Sequence, residues 1–270
     1  MAHGTTNLVP LELDALKPLG FERIELLPGS TFRDNSTVIV IPTRGIESEE
    51  SKLESGNLVK VKRTIPVVHT TVLNSWLHLI PPMNTKRGIL FAAGDEVGVA
   101  YCNLVKAILS DPQLSTWKFL MTMEDDNVVP PDAHVRLLEV MHAGNYDCVS
   151  GIYWTKGDVN MPMAYGDPQE FARTGVLDFR PRDVAEGLRR GNVMDVNGVG
   201  MGCALWRMDL FREIEPPWFV SVAEYIPNTG CCAMTQDLYF CERARKLGKR
   251  FAVDLRTKVG HIDIATGIVY

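Results

Sequence analysis

The chain has 270 residues, 46% of them hydrophobic, with 33 acidic against 28 basic side chains and a net charge of −5. That is enough apolar material for one large domain or two small ones, and it excludes wholesale disorder. The acidic balance argues against a broad nucleic-acid-binding face, and no apolar run approaches the ~20 residues of a membrane span.

Residues 1–36, with Pro10, Pro18 and Pro28, read as an irregular arm without the basic and apolar blocks of a secretory signal. "STVIVIPTRG" follows. Val38 to Ile41 is a short continuous run rich in β-branched residues, which predicts a strand buried on both faces and stopped by Pro42. Residues 46–64, polar and mixed in charge, are expected as a loop or a solvated element. "PVVHTTVLNSWLHL" places Val68, Val72, Trp76 and Leu79 on one helical face. "RGILFAAG" reads as a strand, and "DEVGVAYCNLVKAILSD" as a helix capped at Asp95. "WKFLMTM" is the next strand, "PDAHVRLLEVMHAG" a helix with His134 and His142 on its surface, and "YDCVSGIYW" another strand. Strands alternating with helices predict a mostly parallel α/β sheet. The second half is less regular: "GVLDFRP" and "NVMDVNGVGMG" read as strands, "RMDLFREI" as a short helix, "MTQDLYFCERARKLG" as an amphipathic helix and "KRFAVDL" as a strand.

The six cysteines, Cys102, Cys148, Cys203, Cys231, Cys232 and Cys241, form no CxxC pair. They read as reduced thiols of a cytoplasmic protein, with Cys231 and Cys232 also placed to line a site.

Four constellations carry chemistry. The buried-looking strand of "WKFLMTM" runs straight into Glu124, Asp125 and Asp126. Ligands of open α/β sheets bind at that edge, and adjacent oxygen ligands suit Mg²⁺ or Mn²⁺. In an extended turn Glu124 and Asp126 point the same way and Asp125 does not. A solvated acidic turn ahead of the next helix explains the same residues. In "NGVGMGC" glycines alternate at 198, 200 and 202, which permits positive φ and close approach of a ligand, or simply a tight turn. Asp237 opens the late amphipathic helix, where the helix dipole favours an acid, as a cap or as a general base. His261, in "KVGHID", is a metal ligand or a core histidine.

Read in order, "VIVIPTRG", "MEDDNVVPPD", "DCVSGIYW", "VNGVGMGCALWRMDLFREI" and "TQDLYFCERARKLGKRFAVDLRTKVGHID" resemble nucleotide-sugar-dependent glycosyltransferases of the GT-A fold, family-2-like and of the short phage and bacterial type. The resemblance spans roughly residues 37–263. It implies a single Rossmann-like GT-A domain over residues 37–270, with a mostly parallel central sheet flanked by helices. It also implies a role for each match. Pro42, Thr43 and Arg44 would cradle the nucleotide. Glu124 and Asp126 would stand at the two places of the metal-binding DxD motif, with His261 as a further metal ligand. Asp125 and the loop residues Gly200, Met201 and Gly202 would contact the donor, and Asp237 would be the catalytic acid residue. The sequence departs from the pattern at Glu124 and at Gln236, which stands where the family carries a Glu. The cofactor implied is Mn²⁺ or Mg²⁺, with Mn²⁺ favoured by an imidazole ligand. The partners implied are a UDP- or GDP-sugar and a hydroxyl acceptor; a modified base in DNA is one acceptor of that kind. Two other readings stay open: an inactive sugar-nucleotide-binding relative, and a nucleotidyltransferase, which "IPTRGIESEE" disfavours by lacking a basic Gly-rich loop.

Overall fold

A computed structural model describes residues 33–54, 57–189, 191–227 and 230–270. The expected arm, apart from its last four residues, lies outside them. Strand β1 (Thr37–Thr43) is buried along its whole length. Its side chains alternate: Val38 and Val40 join one apolar cluster, Ile39 and Ile41 the other. A continuous apolar run is what a strand covered on both faces requires. Residues 46–64 were expected as a loop or solvated element. They form an exposed antiparallel hairpin, β2 (Ile46–Glu54) with β3 (Asn57–Ile65). Opposite charges line its two strands, and Lys60 meets Glu49 at 3.3 Å. Cross-strand pairing of this kind supports a ribbon that has no buried face.

Helix α1 (Thr70–Leu77) is shorter than its apolar pattern, with Val72 and Trp76 turned inward. Strand β4 (Arg87–Ala93) leads to α2 (Val97–Ser110). The cap of α2 is Glu96, not Asp95: Glu96 Oε2 accepts from Val99 N at 3.0 Å. Strand β5 (Phe119–Met123) is fully buried and is followed by a two-residue strand, β6 (Asn127–Val128). Then come α3 (Ala133–Gly144), ended by Asn145 in the left-handed region, and β7 (Cys148–Ile152).

Beyond β7 the elements shorten to β8 (Ala164–Tyr165), α4 (Pro168–Thr174), α5 (Val184–Arg189), β9 (Val193–Val196) and β10 (Gly198–Val199). "GVLDFRP" is not a strand. Gly175 caps α4, and the segment's one bridge to a strand is Pro181 with Tyr165, while Phe179 packs its ring against Gly198 of β10. Strand β11 (Cys203–Arg207), α6 (Asp209–Glu213), an unforeseen hairpin of β12 (Val222–Ile226) and β13 (Gly230–Met234), α7 (Gln236–Lys246), β14 (Phe251–Lys258) and β15 (Gly260–His261) complete the chain.

The central sheet has seven strands in the order β4-β1-β5-β11-β7-β14-β9. Strands β4, β1, β5, β7 and β14 run in one direction; β11 and β9 run against them. Helices α2, α6 and α7 cover one face, around Trp206, Phe211 and Phe240, and α1 and α3 cover the other. This is a mixed α/β, Rossmann-like architecture, and residues Asp34–Tyr270 form one compact unit. No helix among the described residues is long and apolar enough to cross a membrane. Cys102, Cys148, Cys203 and Cys241 are free thiols, three of them buried. The side chains of Cys231 and Cys232 lie outside the described ones.

His134 is not a surface residue. It is wholly buried in the first turn of α3, with Nε2 3.1 Å from Thr37 Oγ1 and Nδ1 unpartnered. His142 is half-buried and meets Phe119 edge-on. Burial, aided by Arg87, pushes the His134 pKa down to about 4. The unfolded chain therefore binds the proton first, and stability present above pH ~6.5 is lost as the pH falls toward 4, on the order of 3 kcal/mol over that window. His134→Gln is expected to flatten the slope of unfolding free energy between pH 7 and 4.5, measured by urea titration. An unchanged slope would assign the acid sensitivity to other groups.

Candidate active site

Three neighbouring parallel strands end side by side. Strand β1 ends at Pro42-Thr43, β4 runs into Gly94-Asp95-Glu96, and β5 runs into Glu124-Asp125-Asp126. Their ends enclose a cavity of about 340 Å³ lined by Pro42, Thr43, Arg44, Asp95, Glu96, Val97 and the three acids. The lining thus carries five carboxylates against one guanidinium. Thr43 is 4% exposed, and its buried Oγ1 has no partner in the protein. Such a hydroxyl awaits a ligand or a water, since an unpaired buried polar group is costly. Arg44 is exposed, and its backbone N–H donates to Asp125 Oδ2 at 3.3 Å.

The three acids have different surroundings. Asp126 Oδ2 receives Lys156 Nζ at 2.5 Å and faces His261 Nε2 at 3.5 Å. Burial raises the Asp126 pKa, but the hydrogen bonds from His261 and Lys156 outweigh it and hold the carboxyl below its usual value. Asp125 goes the other way: burial raises it more than the Arg44 N–H lowers it. Glu124 is pushed up to about 8 by burial and then by the charges of Asp126, Asp237 and Asp125. Two buried tyrosines, Tyr101 and Tyr153, stand within electrostatic reach of it.

A short antiparallel ladder delivers His261. Strand β15 pairs with β6, Gly260 opposite Val128 and His261 opposite Asn127, and Ile262 N donates to Asp126 O at 2.8 Å. The His261 ring is oriented by Trp154, whose carbonyl oxygen lies 2.7 Å from Nδ1. A carbonyl only accepts, so Nδ1 carries a proton; Nε2 donates to Asp126 when it is protonated and offers its lone pair to a cation when it is bare. A backbone-anchored imidazole beside a carboxylate is the usual arrangement of a metal-ligating histidine. Among the described residues no three His, Cys, Asp or Glu side chains are gathered closely enough to hold an ion by themselves. The contact the structure does show is the pair Asp126 and His261, 3.5 Å apart, with Glu124 in electrostatic reach of Asp126. A pair fits an ion that is also held by the phosphates of a substrate.

Asp237 opens α7 and is 5% exposed. The helix N-terminus favours its ionised form, yet burial wins and raises its pKa; Leu238 N donates to Oδ1 at 2.9 Å. It lies off the cavity lining, within electrostatic reach of Glu124. Gly200, Met201 and Gly202 are buried and do not line the cavity either. None of the alternating glycines has positive φ. They admit the protein's own side chains. A Cβ on Gly200 would stand 2.1 Å from Tyr153 Oη, and one on Gly202 2.3 Å from Asn127 Oδ1. Tyr153 Oη in turn accepts from Gly202 N at 2.9 Å.

Sequence reasoning missed Lys156, which sits in an irregular loop with no motif, Asp95, which was weighed only as a helix cap, and Glu96, which was not singled out. Their position after the strand beside β1 was the signal that could have found them.

A comparison with solved structures finds the crystal structure of A197 from STIV, with a TM-score of 0.51 and 16% sequence identity, covering 84% of this chain and 86% of that one. The likeness is one of fold. No protein-family model and no curated protein matches the sequence.

Gly200→Ala is expected to cost about 1–3 kcal/mol in urea unfolding, as overpacking in a closed core does. The methyl group meets Tyr153 Oη, so Gly200→Ala combined with Tyr153→Phe should lose less than the sum of the single variants. Additive losses would place the clash elsewhere.

Proposed function

We propose that this protein is a metal-dependent glycosyltransferase of the GT-A fold that moves a sugar from a nucleotide-diphosphate sugar to a hydroxyl acceptor. The observation that carries the reading is the side-by-side placement of the Pro42-Thr43-Arg44 turn and the Glu124–Asp126 run in one cavity at the strand ends. Ligands of open α/β sheets bind there. A diphosphate would be repelled by this acidic lining, even with Glu124 protonated, unless cations enter with it. The Asp126–His261 pair fits such a cation, Mn²⁺ better than Mg²⁺ because of the imidazole.

In this reading the Thr43 hydroxyl and the Arg44 side chain hold the nucleotide, and the otherwise unpartnered Thr43 Oγ1 finds its hydrogen bond there. Asp126 and His261 would hold the ion, which when bound neutralises charge developing on the departing diphosphate. Asp237 takes the acceptor proton. Its raised pKa makes it a stronger base than a solvated aspartate, and burial keeps water from competing. The glycine run lets Tyr153 pack behind the cavity, off its lining, where it accepts from Gly202 N.

The test is a thermal-shift and nucleotide-release assay with Mn²⁺ and UDP-, GDP- and dTDP-sugars. One donor should stabilise the protein only with metal, and Asp126→Asn should lose that stabilisation while staying folded. Asp237→Asn should keep donor affinity and lose turnover by roughly 10²–10⁴-fold, the range of general-base catalysis. Donor binding that ignores metal would favour a binding relative over an enzyme, and the Lys156–Asp126 contact would then be the reason.

A further inference from the structure

Lys156 is a single ammonium set among four carboxylates. Its Nζ touches Asp126, and its charge reaches Glu124, Asp125 and Asp263 as well. The side chain is 31% exposed and Asp126 is 21% exposed, so the pair is neither buried nor freely solvated. The oxygen it occupies, Asp126 Oδ2, is the one that faces His261 Nε2. An ion bridging Asp126 and His261 at metal–ligand distances of ~2.0–2.2 Å would need that oxygen. Two cations on one carboxylate oxygen repel strongly in a partly desolvated site.

The loop that carries Lys156 is tied at its base. Thr155 Oγ1 donates to Val159 O at 2.9 Å and accepts from Met161 N at 3.0 Å, while Thr155 N donates to Met161 O at 2.8 Å. Lys156 is the first residue beyond that tie. Its ammonium can leave Asp126 by rotation of a four-carbon stem with the backbone held still.

We propose that Lys156 is a counter-ion that excludes a bare divalent cation from the Asp126–His261 pair and, when the donor arrives, passes its ammonium to the diphosphate, so that metal and nucleotide enter together. This rests on the metal-dependent donor reading of the same site. Among the four carboxylates around it, Asp263 on the solvent side is the competing resting place for the displaced ammonium. A diphosphate is the stronger anion and lies on the cavity side. The device gives positive coupling between metal and nucleotide binding, because each removes an obstacle to the other.

The test uses the full chain and its Lys156→Met and Lys156→Arg variants, with unfolding midpoints checked first. Mn²⁺ alone is titrated by the loss of its free-ion spin-resonance signal, and then again with UDP or GDP present. Lys156→Met should bind Mn²⁺ alone about tenfold more tightly than the parent chain, bind the nucleotide about tenfold more weakly in saturating Mn²⁺, and so lose most of the coupling. Lys156→Arg should behave as the parent chain does. Adding Asp126→Asn to Lys156→Met should abolish the gained metal affinity. If the parent chain takes Mn²⁺ with nucleotide while Lys156→Met gains nothing for Mn²⁺ alone, the gate is overturned and the metal-dependent reading stands. Unchanged nucleotide affinity in Lys156→Met overturns the transfer to phosphate. If no form binds Mn²⁺ under any condition, the metal reading falls and the gate with it.

Discussion

Three carboxylates stand at the end of a strand that is buried on both faces, and the rest of the site is arranged around their charge. Strand β5 cannot shift outward to hydrate them, because Phe119 to Met123 are held in the sheet between β1 and β11. Each acid is therefore handled in place. Asp126 is met by Lys156 and His261, Asp125 by the Arg44 backbone N–H, and Glu124 by keeping its proton, with a pKa of about 8. Charge that cannot be solvated is paired, hydrogen-bonded or neutralised. Arg44 is the one basic residue among the described residues that line the cavity.

The first half of the fold was legible in the sequence because its signals are local. Val38 to Ile41 and Phe119 to Met123 are continuous apolar runs of strand length, and the apolar faces of α2 and α3 repeat at helical spacing. The acidic run stood out locally, as charge directly after a buried strand, whereas Thr43, Arg44 and the role of His261 came from the order of motifs that carries the resemblance. What the sequence hid depends on long-range pairing. The β6–β15 ladder joins residues far apart in the chain through two residues on each side, too few to leave a periodic pattern. Lys156 lies in "TKGDVN", which resembles any polar loop until Asp126 is beside it. The charged hairpin of β2 and β3 has no apolar face to betray it, because its strands are held to each other and not to the core. His134 looked like one of many polar helix residues, since nothing local shows that Thr37 packs over it.

The reversed strand β11 explains why the glycines belong where they are. It runs against β5, so it starts where β5 ends, with Cys203 opposite Met123. The segment entering β11 must therefore pass directly beside the acidic turn. It does so with Gly200 and Gly202, and the space that side chains would take there is filled by Tyr153 from the end of β7 and Asn127 from β6. Asn127 also donates to Gly260 O at 3.4 Å, on the strand that carries His261. The glycines thus serve the site from behind. They let two neighbouring elements close against the turn, and that closure holds the Asp126–His261 pair in register. A parallel strand in the place of β11 would begin at the opposite edge of the sheet and leave the acidic turn without this backing.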